Sequence, residues 1–155
     1  QPLRGWKGEL YEGGIRVPAA VWWPGVLESA KVREPISAMD IFPTLAGFVP
    51  GRLEGPMRVE GIDVWSLLTG GRYYSLQRVL YWRTRRALAV RVGDWKLIHH
   101  APSLDQEGPD ELFDLAEDPR EERDLASATP NKLRELREVL AEMLSLDPPG
   151  RTHRG

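Results

Sequence analysis

The sequence predicts an α/β chain in two parts: a piece of a larger α/β sheet domain, then a small antiparallel sheet packed with a carboxy-terminal helix (α+β). Three patterns indicate this: an apolar run at 15–23, short β-rich segments between 79 and 100, and an amphipathic helix from 130. We expect the first part to span 1–72 and the second 76–147. Residues 148–155 are predicted to form a flexible tail.

Composition excludes several classes of function. The 155 residues carry a net charge of -2, which argues against a nucleic-acid-binding surface. Because the chain has no cysteine, disulfides, thiolate metal sites and cysteine nucleophiles are excluded. No apolar run reaches the roughly 20 residues that a membrane-spanning helix needs.

In the first part, Ile15 to Trp23 is predicted to form a strand. Ile15, Val17, Ala19 and Val21 would share one face, with Ala20 and Trp22 on the other. Apolar side chains on both faces are typical of a strand buried inside a larger sheet, so we expect its partners to lie outside this chain. Pro18 lacks an amide donor and would interrupt the ladder there.

The remaining elements of the first part are short. Asp40 is expected to cap a helix reaching about Phe48, with an apolar stripe of Ile41, Leu45 and Phe48. Gly51 to Gly61 is predicted to be a loop. Val64 to Leu68 should then form a helical turn that ends at Gly70-Gly71.

The second part has three predicted strands, Val79 to Arg83, Ala87 to Val92 and Trp95 to His100, with a fourth expected at Glu111 to Leu115. Gly93-Asp94, with glycine first, favours a type II′ hairpin turn.

Thr129 is predicted to cap the last helix, and Pro130 suits its first position. Four apolar residues would form one face of this helix: Leu133, Leu136, Leu140 and Met143.

The densest motif lies near the amino terminus, where Lys7 stands among glycines just before the apolar run. A compact ammonium group suits the oxygens of a sulfate or phosphate, and glycines let the backbone approach a ligand closely. The string is not a P-loop, because it lacks the four-residue spacer and the Ser or Thr after the lysine. Lys7 is therefore the candidate oxyanion contact.

Several strings, in order along the chain, resemble sulfatases of the alkaline-phosphatase-like superfamily, and arylsulfatases in particular. The resemblance runs from Leu3 to about Leu144. It is carried by Arg4-Gly5-Trp6-Lys7-Gly8, Tyr11-Glu12-Gly13-Gly14, Arg16-Val17-Pro18, Trp23-Pro24-Gly25, Met39 to Leu45, Gly61-Ile62-Asp63, Leu67-Leu68, Ala89-Val90-Arg91, Gly93 to Ile98, Leu112 to Leu115, Asp118-Pro119 and Glu121.

This resemblance implies hydrolysis of sulfate esters, with a small molecule or a saccharide as substrate. It also implies a parent protein with a formylglycine nucleophile, made from the Cys or Ser of a Cys/Ser-x-Pro-x-Arg motif, and a divalent cation (calcium) held by Asp and Asn. The motif is absent here, so we expect this chain to hold neither cofactor and to be inactive alone. Only Lys7 carries over, as the sulfate contact, while Glu12 and Arg16 are expected to hold its loop.

Other polar groups are expected to have structural or solvent-facing roles. His99 and His100 are adjacent on a strand and point to opposite faces, so they cannot share one metal. A basic cluster is expected on a solvated hairpin face, the alternative being contact with an anionic substrate at the rim of the site: Arg83, Arg85 and Arg86. An acidic set lacks the spacing of a calcium loop and is interpreted as a polar turn: Asp114, Glu117, Asp118, Glu121 and Glu122.

The six tryptophans are mostly expected to pack, although Trp6 could wall a pocket beside Lys7.

Two alternatives stay open: a related hydrolase of phosphate or phosphonate esters, and a non-catalytic binding module built on the antiparallel sheet. The coding sequence upstream of Gln1 would separate them. A Cys/Ser-x-Pro-x-Arg motif with an Asp-Asn pair there would favour the sulfatase. A Thr or unmodified Ser nucleophile would favour the related hydrolase, and a nearby start codon would favour the binding module. A secreted, periplasmic or lysosomal parent is compatible with the resemblance.

Overall fold

A computed structural model describes residues 3–49, 61–70 and 78–147 of the chain. Its helices and strands follow in this order: α1 (Glu12–Ile15), a 3-10 turn (Ala38–Asp40), α2 (Ile41–Ala46), α3 (Trp65–Leu68), β1 (Val79–Arg83), β2 (Leu88–Val92), β3 (Trp95–His99), β4 (Asp110–Asp114) and α4 (Pro130–Leu146). Within these ranges no helix is long and apolar enough to cross a membrane.

The described residues group into two compact units. One, the sheet unit, contains the residues up to Pro18 together with 78–147, and the other contains 19–49 and 61–70. The contacts of residues 3–18 are therefore made with the sheet. The division of the chain into parts at 1–72 and 76–147 remains a prediction, and 148–155 lie outside the described residues.

The sheet is a four-stranded antiparallel meander in the order β1-β2-β3-β4. Val92 pairs with Trp95, so a two-residue loop of Gly93 and Asp94 joins β2 to β3. Gly93 has a φ of 59°, as the predicted type II′ turn requires of its first central residue. The four predicted strands are confirmed to within one residue at each end.

Both faces of the sheet are covered within this unit. On one face, α4 contributes Leu136 and Leu140 to a fully apolar cluster with the sheet residues Leu88, Val90, Leu97 and Leu112. The opposite face buries Ala89, Ile98 and Phe113 under Leu10 of the amino-terminal segment, with Tyr11 and Ile15 packed at its edge. Because strand side chains alternate between faces, this arrangement explains why β2 and β3 carry buried apolar residues on both sides.

Helix α4 begins as predicted at Pro130, but its cap differs. The Thr129 side chain makes no cap hydrogen bond. Its hydroxyl donates to the Leu125 carbonyl at 2.9 Å instead. Leu136 and Leu140 are buried, whereas Leu133 and Met143 are only partly so.

The predicted buried strand at Ile15 to Trp23 is wrong. Ile15 ends α1, and the residues from Arg16 to Trp23 belong to no helix or strand. Val17 is 77% exposed and Trp22 87%. The physical reason is that this segment has no strand beside it among the described residues, and Pro18 cannot donate to a ladder.

Asp40 caps a different element from the predicted one. Its carboxylate accepts from the Ser37 amide at 2.7 Å and completes a capping box for the 3-10 turn. It also accepts from the Ile62 amide at 3.0 Å, and α2 receives no side-chain cap from it. The predicted stripe of Ile41, Leu45 and Phe48 is exposed.

Helix α3 agrees with the predicted turn at Val64 to Leu68. Gly70, at a φ of 79°, follows it as expected. Except for Gly61, the loop predicted at Gly51 to Gly61 lies outside the described residues, and so does Gly71.

Candidate functional site

Lys7 lies at the tip of a closed loop, here called the Lys7 loop (residues 4–11). A turn at its tip joins the Glu9 amide to the Trp6 carbonyl at 2.9 Å. The Trp6 amide in turn donates to the Glu9 carboxylate at 2.8 Å. Lys7 is exposed at this tip. Gly8, at a φ of 99°, supplies the backbone conformation that the turn needs.

Two glycines let the Lys7 loop fold back onto helix α1. The Gly13 amide donates to the Arg4 carbonyl at 2.6 Å and closes the base of the loop. A Cβ on Gly13 would lie 2.4 Å from that same oxygen. A Cβ on Gly14 would lie 2.2 Å from the Glu9 carbonyl. Since no side chain tolerates such distances, the Gly13-Gly14 pair is required by the close approach of the loop.

A buried ion cluster of Lys96, Glu12 and Glu121 lies directly beneath the loop. The Lys96 ammonium is 2.7 Å from Glu121 Oε1 and 3.0 Å from Glu12 Oε1. Lys96 and Glu121 are completely buried and Glu12 is 3% exposed. Arg91 approaches Glu12 to 3.7 Å and adds positive charge. Pairing reduces the penalty that an isolated buried ion would suffer.

Glu121 holds both ends of the Lys7 loop. Its carbonyl accepts from the Arg4 guanidinium at 2.8 Å, and its carboxylate accepts from the Glu12 amide at 2.6 Å. Its φ of 57° is unusual for a side chain larger than glycine. Burial raises the pKa of Glu121, although the charge of Lys96 and its hydrogen bond act in the opposite direction.

A second cluster joins the loop to strand β4. Glu111 accepts hydrogen bonds from the Tyr11 hydroxyl and pairs with His100 Nε2 at 2.6 Å and with Arg4 at 3.1 Å. The Arg4 guanidinium also stacks 4.0 Å above the Tyr11 ring. Burial pushes the pKa of Glu111 upward, but the hydrogen bonds from Tyr11 and His100 and the charge of Arg4 outweigh it. The pKa of Glu111 is therefore below its ordinary value. Burial and the bond to Glu111 raise the pKa of Tyr11.

The two histidines do point to different environments, as predicted. His99 is buried, with Nδ1 2.7 Å from Asp110 and Nε2 3.2 Å from the Ser103 carbonyl. His100 belongs to the Glu111 cluster. Both have structural partners.

The basic cluster fits its predicted solvated position. Arg85 and Arg86 are exposed. Arg83 forms an ion pair with Asp147 at 3.0 Å.

The interpretation of the acidic stretch as a polar turn is wrong for Glu121, which is fully buried. Lys96, Arg4 and Glu111 were also not predicted to be part of the site. One signal could have revealed Lys96: it shares a strand face with Ile98, so a charge stood where the alternation predicts an apolar residue. No pattern within the acidic stretch distinguished Glu121 from its exposed neighbours.

A cavity of about 270 Å³ lies between the loop after β3 and α4, and Lys7 does not line it. Its walls are His99, Leu104, Asp105, Gln106, Glu107, Gly108 and Arg137. Across the ranges that the structure describes, no group of three or more His, Asp or Glu side chains could hold a metal ion. The candidate site among the described residues is thus the exposed ammonium of Lys7 at the tip of the Lys7 loop.

Comparison with known proteins decides the family. The model of the family described as "N-sulphoglucosamine sulphohydrolase, C-terminal" matches residues 5–146. The chain belongs to this sulfatase family. The match includes the Lys7 loop from Gly5 onward, the sheet and α4, so the carboxy-terminal sulfatase resemblance noted from the motifs is confirmed.

Curated relatives are full sulfatases. Rat steryl-sulfatase (Rattus norvegicus) is 31% identical, over 97% of this chain and 30% of its own length. Human arylsulfatase A (Homo sapiens) is also 31% identical, over 94% of this chain and 34% of its own. This sulfatase region thus spans about a third of the length of the relatives that it matches.

Solved structures agree with the fold. A Bacteroides thetaiotaomicron protein, described with a locus for the metabolism of multiple glycosaminoglycans, is 28% identical. It superposes with a TM-score of 0.76 over 91% of this chain and 32% of its own. Ps i-CgsB, solved with a neocarrahexaose, is 26% identical with the same TM-score of 0.76, over 92% of this chain and 32% of its own. The predicted fold, an α+β portion of an alkaline-phosphatase-like protein, is confirmed.

Proposed function

We propose that this chain is the carboxy-terminal portion of a sulfatase active unit and that Lys7 contacts the sulfate group of the substrate. The observation that carries the proposal is the exposed ammonium at the tip of a loop whose base is fixed by buried ion pairs. Exposure leaves the cation available to a ligand. The contacts at the base hold the backbone of the loop, and such preorganisation is the condition for electrostatic catalysis.

The chemistry of sulfate ester hydrolysis suits a lysine at this position. The sulfate oxygens already carry negative charge in the bound ester, and as the ester bond breaks, negative charge builds on the leaving oxygen. An ammonium group donates up to three hydrogen bonds and stabilises that charge. Removing one such preorganised donor lowers the rate by a factor of about 10² to 10³.

Lys7 cannot replace the nucleophile and the metal of a sulfatase, so we propose that the chain alone is inactive. The sulfatase resemblance implies a formylglycine nucleophile and a calcium ion, both held elsewhere in the parent protein. The described residues do not fit this cation, because they contain no cluster of three or more suitable ligands. No step of the proposal is therefore assigned to a metal bound by this chain.

The substrate proposed is a sulfate ester, either a small molecule or a sulfated saccharide. The names of the relatives include steryl-sulfatase, arylsulfatase and N-acetylgalactosamine-6-O-sulfatase. The substrates that these names indicate share the sulfate ester and little else. The proposed role of Lys7 is thus to bind the sulfate group, which all of these substrates share.

The test uses the full-length protein encoded by the reading frame that contains this chain, with 4-methylumbelliferyl sulfate as the probe. We expect Lys7→Ala to lower kcat/KM by about 10² to 10³-fold. Lys31→Ala, which removes another exposed lysine, is the matched control and should leave kcat/KM unchanged. Equal activity of both variants would exclude the role of Lys7. Turnover by the 155-residue chain alone, above its own Lys7→Ala variant, would contradict the proposal that it is inactive alone.

A further inference from the structure

We propose that Lys96 is a positioning residue for Lys7, acting through Glu12 and Glu121. This inference rests on the proposed function of Lys7. Lys96 itself is fully buried and cannot contact a substrate. Its effect on the reaction would therefore be indirect, through the place at which the Lys7 loop is held.

The first step of the connection runs from Lys96 to Glu12. The ammonium of Lys96 pairs with Glu12 at 3.0 Å, and Glu12 is the first residue of α1. The next two residues, Gly13 and Gly14, lie under the Lys7 loop in contacts too close for any side chain. A shift of Glu12 therefore moves the surface on which the loop rests.

The second step runs from Lys96 to Glu121. Lys96 pairs with the Glu121 carboxylate at 2.7 Å, and the same carboxylate accepts the Glu12 amide at 2.6 Å. The Glu121 carbonyl accepts from Arg4, at the other end of the loop, at 2.8 Å. Glu121 thus contacts both ends of the Lys7 loop, and Lys96 pairs with Glu121.

The energetics favour a geometric role over a purely stabilising one. Replacing a buried ion pair with apolar residues of similar volume is often neutral or stabilising, because desolvation offsets the Coulomb attraction. Apolar residues in place of the ion cluster would cover the sheet equally well, but they would not fix the position of the Lys7 loop. Charged hydrogen bonds have narrow distance and angle preferences, so they define one position for α1. A misplacement of about 1 Å in a reacting group can cost about 10²-fold in rate.

The experiment is a double-mutant cycle in the same full-length protein. We expect Lys96→Met to lower kcat more than it changes KM, by about 10-fold to 100-fold. In a Lys7→Ala background the same substitution should have less than about a 2-fold further effect, because the group that it positions is gone. Lys96→Arg, which keeps the charge, should restore part of kcat. Lys132→Met breaks an exposed ion pair with Glu135 and is the control, expected to leave kcat unchanged.

Glu12→Gln is the second variant, should Lys96→Met fail to fold. It keeps the shape of the side chain and removes one charge of the cluster, and the same lack of additivity with Lys7→Ala is expected. Hydrogen exchange at the Gly13 and Gly14 amides of the 155-residue chain provides a readout without activity. Both substitutions should speed it, and Lys132→Met should not.

Independent, multiplicative effects of Lys7→Ala and Lys96→Met on kcat would overturn the positioning role while leaving the proposed function of Lys7 intact. Unchanged exchange at Gly13 and Gly14 in both cluster variants would overturn it as well. If Lys7→Ala itself kept full activity, the proposed function would fail, and the positioning role would fail with it. The Lys7→Ala single variant therefore separates the two failures.

Discussion

The ammonium of Lys96 lies 2.7 Å from a carboxylate oxygen of Glu121, and neither side chain is accessible to solvent. Lys96 is on β3, whereas Glu121 follows β4 and Glu12 begins α1. The pairing thus joins three separate stretches of chain on the sheet face opposite α4. A buried charge that loses its partner is strongly destabilising, so these residues depend on one another.

Removing the cation should destabilise the sheet unit. We expect Lys96→Met to lower the free energy of unfolding by about 3–5 kcal/mol, since two carboxylates are left buried without it. Lys132→Met, at an exposed pair, should cost less than about 1 kcal/mol. Urea unfolding followed by tryptophan fluorescence measures both. A cost for Lys96→Met no larger than that of the control would mean that the cluster contributes nothing to folding.

A methyl group on Gly14 should disturb the Lys7 loop. The Cβ of Gly14→Ala would lie 2.2 Å from the Glu9 carbonyl and 2.5 Å from the Trp6 carbonyl, so the turn that bears Lys7 must move. Gly47→Ala is the control, because its Cβ would meet the Thr44 carbonyl at an ordinary 3.5 Å. We expect faster proteolysis of the loop in Gly14→Ala alone, as seen by mass spectrometry of early cleavage products. Identical cleavage in both variants would show that the loop tolerates a side chain there.

The free energy of unfolding should depend on pH through the ionisation of Glu111. Its pKa is lowered in the folded chain from an ordinary value of 4.5, so the ionised form contributes stability above that value. This contribution is lost as the pH falls through the lower, folded pKa. Glu111→Gln should be less stable at neutral pH and lose less stability on acidification below about pH 4.5. Thermal unfolding from pH 7 to pH 3 checks this against the exposed Glu117→Gln. If the unfolding temperatures of wild type and Glu111→Gln fell in parallel with pH, the lowered pKa of Glu111 would be refuted.

The packing of α4 on the sheet predicts a sharp contrast between two leucines of that helix. Leu140 is fully buried and Leu146 is 56% exposed. We expect Leu140→Ala to cost about 2–5 kcal/mol and Leu146→Ala less than about 0.5 kcal/mol. Urea unfolding of the two variants distinguishes them. A similar small cost for both would mean that the helix does not pack on this sheet.

Local signals in the sequence were enough for the second part of the chain. Alternation, the Gly93-Asp94 turn and the leucine spacing of α4 each depend on neighbours in sequence, and the structure confirms the elements that they predicted. The segment from Arg16 to Trp23 was misjudged because its apolar character requires sheet partners, and the pattern does not show whether any are present. Whether a strand forms there is a tertiary question.

The candidate site was predictable only in part. Lys7 and its glycines are adjacent in sequence, so a local motif could indicate them. The cluster that fixes the loop could not be found in that way, because Glu12 and Lys96 are separated by 84 residues and Lys96 and Glu121 by 25. Only the topology of the sheet brings them together.

The most direct test of the role of Lys7 is a crystal structure of the full-length protein with sulfate or a sulfate ester in its active site, measuring the distance from Lys7 Nζ to the nearest sulfate oxygen. We expect a charge-assisted hydrogen bond of about 2.7–2.9 Å, with the Lys96 cluster intact beneath the loop. A sulfate group bound in the active site with Lys7 more than about 6 Å away and directed into solvent would contradict it.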